Sequence, residues 1–120
     1  MATKTEAAKT AKPKETPAGR WISYRPQIKV LDCTIRDGGL MNNHKFDDQV
    51  VKAVYTACVE AGVDYMELGY KASRKVIVPG EHGDWKYCRE DDLRRIVGDN
   101  PTSLKLTVMA DAERTDYNDD

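Results

Sequence analysis

The sequence predicts an α/β chain built on a parallel sheet, and three observations carry that expectation. Apolar, branched runs recur at residues 28–31, 63–70 and 104–110, the composition expected of buried strands. Between them lie two stretches with helical spacing of apolar residues, at 47–61 and 91–97, closed by Gly62 and Gly98. The resulting βαβαβ order repeats in steps of roughly thirty residues, the size of a strand–helix–strand unit. Parallel strands joined by right-handed helical crossovers fit either a doubly wound sheet or a (β/α)₈ barrel.

The chain has 120 residues, room for one domain with a modest core. A net charge of −1 and 40% hydrophobic residues speak against disorder of the whole and against a nucleic-acid surface. No apolar run reaches bilayer length and no signal-peptide segment follows the start, so no membrane partner is expected. Cys33, Cys58 and Cys88 are odd in number and fit no zinc spacing. They suggest reduced thiols in a cytoplasmic protein.

Residues 1–25 differ from the rest, being small, polar and basic without an apolar period, and they read as a disordered tail preceding a domain at 26–120. A transit peptide or a polyanion-binding arm is disfavoured, because aromatics do not interleave the lysines and Glu6 and Glu15 dilute the charge. Trp21 and Tyr24 are expected to pack below the first strand.

That strand, from Ile28 through Leu31, is expected to run on to Arg36 and end in a turn at Gly38-Gly39. Alternation would put Asp32, Thr34 and Arg36 on one face and Leu31, Cys33 and Ile35 on the other. A polar row in a strand needs partners, so a structural ion pair of Arg36 with a neighbouring carboxylate is one reading. Next, Asp47 or Asp48 opens a helix whose stripe is Val50, Val51, Val54, Cys58 and Ala61. In the second strand Val63, Tyr65, Glu67 and Gly69 share a face, with Met66 and Leu68 opposite. Glu67 then points to the side of Arg36 and calls for a cation, unless that face is simply the open side of a sheet. Residues 71–90 form a long connection at a strand's carboxyl end, where barrel active sites are built. His82 within it reads as a solvated loop histidine, with substrate contact the alternative. A third strand precedes Asp111, and Asp116 to Asp120 begin or precede another helix.

The stretch Asp32-Cys33-Thr34-Ile35-Arg36-Asp37-Gly38-Gly39 resembles the first-strand signature of the DRE-TIM metallolyase superfamily. The likeness extends through Asn42-Asn43, Phe46-Asp47-Asp48, the run from Gly62 to Tyr70, and Gly83 to Cys88, covering roughly residues 28–118. It implies the first three βα units of a (β/α)₈ TIM barrel and a lyase or aldolase making or breaking a carbon–carbon bond beside a 2-oxo acid or acyl-CoA carbonyl. Because such a barrel takes roughly 250 residues, the sequence is expected to be the N-terminal part of a larger protein or a truncated product. Self-association into a homo-oligomer is compatible with either.

The resemblance also assigns roles. Asp37 offers hard oxygen ligands for Mn²⁺ or Mg²⁺. Arg36 would stabilise an enolate oxygen, and Glu67 would hold Arg36 in place. The superfamily's further ligands, a His-x-His pair, have no counterpart in this sequence. Where the related aldolases carry an acid–base histidine three residues after the metal aspartate, Leu40 stands instead, and His44 is the candidate substitute. A different class of reading is a non-catalytic fragment or interaction module that retains the fold.

Overall fold

A computed structural model describes residues 23–78 and 80–115. Three parallel strands form one sheet in the order β1-β2-β3, with β1 at Leu31–Asp32, β2 at Tyr65–Tyr70 and β3 at Lys105–Met109. Helix α1 spans Thr34–Asn42, α2 Asp48–Ala61 and α3 Glu90–Val97, with a 3₁₀ turn at Asp84–Lys86. The expectation of a parallel α/β sheet therefore holds. The predicted tail up to residue 22, Trp21 with it, and the predicted helix at 116–120 lie outside the described residues.

The first strand differs most from expectation. It stops at Asp32, and the glycine pair is helical rather than a turn. Asp32 ends the strand by folding its carboxylate over the next turn of chain, where it accepts from the Thr34 amide at 3.1 Å and the Thr34 hydroxyl at 2.8 Å. The Asp37 amide then donates to the Cys33 carbonyl at 2.8 Å, starting the helical ladder. Asp37 in the first turn suits the positive end of the helix dipole. Two helical glycines cost about 1 kcal/mol each relative to alanine. At Gly39 that cost has a packing reason, since a Cβ there would lie 2.1 Å from Nδ1 of His44. Strand alternation consequently does not govern residues 33–36; helical geometry buries Ile35 completely and leaves Arg36 at the side facing the sheet.

Ile28, Val30 and Leu31, expected to be buried, are exposed along the outer edge of the sheet. Tyr24 is 74% exposed and anchors nothing. The edge is held from the other side, where Val30 donates to the Asp64 carboxylate at 2.8 Å and accepts from the Tyr65 amide at 3.0 Å.

Helix α2 begins after Asp47 in extended conformation and ends at Gly62 (φ 70°). Its apolar stripe is rotated from the expected one. Val51 and Cys58 are buried and Val54, Tyr55 and Val59 pack beside them, while Val50 and Ala61 face outward. With Ile96, Val97 and Leu104 these residues cover Met66 and Leu68 of β2, which are fully buried. The prediction that Met66 and Leu68 pack on the helices, leaving Glu67 for the opposite face, holds.

Near its carboxyl end β2 carries a bulge. Glu67 pairs with Thr107 and Tyr70 with Met109, so Leu68 and Gly69 together oppose Val108. The extra residue turns Gly69 to the helix side, contrary to the expected alternation. There a Cβ would sit 1.9 Å from the Trp85 carbonyl and 2.8 Å from Cys88 Sγ. The same irregularity returns Tyr70 to the face of Glu67. The connection after β2 is anchored rather than loose at its far end, with Trp85, Lys86, Tyr87 and Cys88 all buried.

Candidate functional site

The residues singled out from sequence converge where β1 and β2 deliver their chain to the loops. Arg36 sits on the first turn of α1, one step past the end of β1, and Glu67 on the adjacent strand. Arg36 Nε donates to Glu67 Oε1, and Nη1 donates to Asp37 Oδ1 at 3.0 Å. Arg36 and Glu67 side chains are only 19% and 12% exposed, whereas Asp37 is 70% exposed. The hydrogen bond donated to Glu67 raises the guanidinium's affinity for its proton, more than burial lowers it. The result is a cation fixed by a buried carboxylate on one side and leaning on a solvated carboxylate on the other.

The expected partnership of Arg36 and Glu67 is therefore present. Asp37 stands beside it with one oxygen engaged. Among the described residues no cluster of three or more His, Cys, Asp or Glu side chains is arranged to hold a metal ion. Asp37 alone does not make a centre for Mn²⁺ or Mg²⁺, because a single carboxylate leaves most of an octahedral shell to other donors.

His44 lies elsewhere on the same end of the sheet. Asn43 and His44 both adopt left-handed backbone (φ 56° and 59°), which curls the chain under α1. The His44 amide bonds back to the Gly39 carbonyl at 2.8 Å, and Asn43's carbonyl accepts from Gly83 at 2.8 Å. The imidazole is 2% exposed, with Nδ1 against Gly39 and without a hydrogen-bond partner. Burial, helped by Lys86 and His82, pushes its pKa down to about 4. The ring is thus uncharged at neutral pH and a weak proton acceptor there.

His82 is not the solvated loop histidine expected from its surroundings in sequence. It is half-buried, its ring centroid is 6.2 Å from that of His44, and its Nδ1 is buried without a partner. Tyr70 meets His44 edge-on at 5.3 Å between centroids, and the Lys86 ammonium lies 4.3 Å from the Tyr70 ring centre. Tyr70 and Lys86 fall within stretches that carry the resemblance, but neither stands out from sequence as a site residue. Tyr70 reaches this face only through the bulge, and Lys86 reads as an ordinary loop lysine. Two of the three thiols take no part, since burial raises Cys58 and pushes Cys88 up to about 12, far from a reactive thiolate. No helix among the described residues is long and apolar enough to cross a membrane.

No protein-family model, curated protein or solved structure matches this chain.

Proposed function

We propose that this chain forms the opening βα units of a TIM-barrel lyase or aldolase of the DRE-TIM metallolyase type, acting at the carbon–carbon bond beside a 2-oxo acid or acyl-CoA carbonyl. The single observation that carries the reading is the Glu67–Arg36–Asp37 chain at the carboxyl end of parallel strands. A guanidinium held by one carboxylate, in a part-buried position, is a preorganised donor for negative charge that develops on a carbonyl oxygen. One such donor contributes about 3 kcal/mol to a barrier. In this reading Arg36 donates to the enolate oxygen, and Glu67 keeps the fork from reorienting. Asp37 would supply one ligand to Mn²⁺ or Mg²⁺, whose other donors the described residues do not provide. His44, buried and neutral, serves here as an uncharged wall of the site rather than its base. Three unpaired cysteines fit a cytoplasmic setting.

The test is the conservative exchange Arg36→Lys in the intact protein, with turnover and melting temperature measured together. Lysine retains the charge and loses the planar fork, so turnover should fall while stability changes little. Unchanged turnover with a lowered melting temperature would leave the pair a structural ion pair.

A further inference from the structure

Around the Tyr70 ring three nitrogen-bearing side chains gather with no anion among them. Lys86 lies over the ring face, His44 meets the ring edge, and His82 stands beside His44. Lys86 is only 8% exposed, yet among the described residues its ammonium makes no hydrogen bond or ion pair. Neither imidazole makes a hydrogen bond either, and the Nδ1 atoms of both are buried without partners. A buried ammonium left without a hydrogen-bond partner is costly, by about 1–3 kcal/mol or more, so a native site of this kind calls for something that satisfies it. Nδ1 of His44 abuts Gly39, where a proton would find no acceptor. The favoured tautomer therefore carries its hydrogen on Nε2, which makes His44 a neutral donor. Asp111 acts on Lys86 electrostatically but pairs with Arg114 at 3.6 Å, and Glu81 is solvent-exposed in the loop beside His82. An open cavity of about 540 Å³, lined by Val76, Ile77, Val78, Glu81 and His82, brings solvent to His82.

We propose that Lys86, His44 and His82 form an oxyanion-binding site, for a phosphate or carboxylate group, at the carboxyl end of β2. A cation is the poorer occupant, because the Lys86 ammonium would repel it. An oxyanion accepts from all three donors at once and matches the sign of the site. The bulge at Leu68-Gly69 is what aims Tyr70, and with it Lys86, onto the face that Glu67 and Arg36 share. The oxyanion site uses none of Arg36, Asp37 or Glu67 and shares only His44 with the aldolase reading.

The experiment is titration of the full chain with inorganic phosphate, followed by the imidazole ¹⁵N–¹H signals of His44 and His82, with malonate as a parallel arm. Phosphate or malonate should move both sets of signals along one saturable curve, and the tighter of the two identifies the ligand as phosphoryl or carboxylate. Lys86→Met keeps the apolar stem over Tyr70 and should weaken binding by about tenfold, the loss expected of one charge-assisted bond. His82→Gln, in a half-buried loop position, should weaken it similarly and guards against misfolding of the first variant. Signals that stay fixed with both anions would overturn the proposal. So would equal affinity in a folded Lys86→Met variant, or a response to Zn²⁺ where phosphate gives none.

Discussion

Replacing Glu67 by glutamine tests whether Arg36 is truly held from beneath. Glutamine keeps the shape and one acceptor oxygen but removes the negative charge from a pair whose side chains are 19% and 12% exposed. Removing one partner from a fully buried pair costs 3–5 kcal/mol, roughly, and from a surface pair 1 kcal/mol or less, roughly. This pair lies between those limits, and Asp37 at 3.0 Å remains as a second partner for the guanidinium. Glu67→Gln should therefore cost about 2 kcal/mol. Urea unfolding of the full chain, run as a double-mutant cycle with Arg36→Met, isolates the pairwise part, expected at about 1–2 kcal/mol. Replacing both residues by methionine should restore much of the stability lost in either single variant, because no buried charge is then left alone. A coupling energy below about 0.5 kcal/mol would equate the pair with an exposed one and refute the claim that Glu67 fixes Arg36.

The geometry sets three further outcomes. Gly69→Ala places a Cβ 1.9 Å from the Trp85 carbonyl, so strand and loop must separate; a loss of about 3 kcal/mol in urea unfolding is expected, and near-wild-type stability would contradict the packing at the bulge. His44 has a pKa of about 4 against an ordinary 6.5, so below pH 6.5 the unfolded chain binds a proton that the folded chain refuses. Stability should thus fall as pH drops from 6.5 toward 4, by up to about 3 kcal/mol from this group, and His44→Gln should remove that part of the slope; identical slopes would show that His44 titrates normally. Calorimetry of the 120-residue chain with Mn²⁺ should reveal no stoichiometric sub-micromolar site, and a tight site abolished by Asp37→Ala would mean that further ligands exist.

What can be read from sequence is decided by periodicity over long segments. Helix α2, its closure at Gly62, and the burial of Met66 and Leu68 come from apolar spacing that tertiary contacts reinforce. The meeting of Arg36 with Glu67 is legible for a related reason, because a charged residue within a strand, Glu67, demands a cationic partner nearby. The first strand is misread because Gly38-Gly39 looks like a turn, whereas Gly39 lets the His44 ring approach the helix backbone. That requirement lies in a contact across a bend and has no local signature. Gly69 likewise looks like an alternating strand residue, yet the bulge turns it toward Trp85. The cluster of Tyr70, Lys86, His44 and His82 depends on that bulge and on two successive left-handed residues, Asn43 and His44. Neither is encoded by a period of two or of three to four residues.

The most direct test of the central claim, that Arg36 stabilises an enolate, is deuterium exchange into the methyl group of pyruvate, followed by NMR in D₂O with the intact protein and Mn²⁺. Exchange reports enolate formation without requiring the natural substrate. Wild-type protein should accelerate it above buffer, and Arg36→Lys should abolish most of the acceleration with its melting temperature essentially retained. Exchange that proceeds equally fast in Arg36→Lys, or never exceeds the buffer rate in the wild-type protein, would contradict the account.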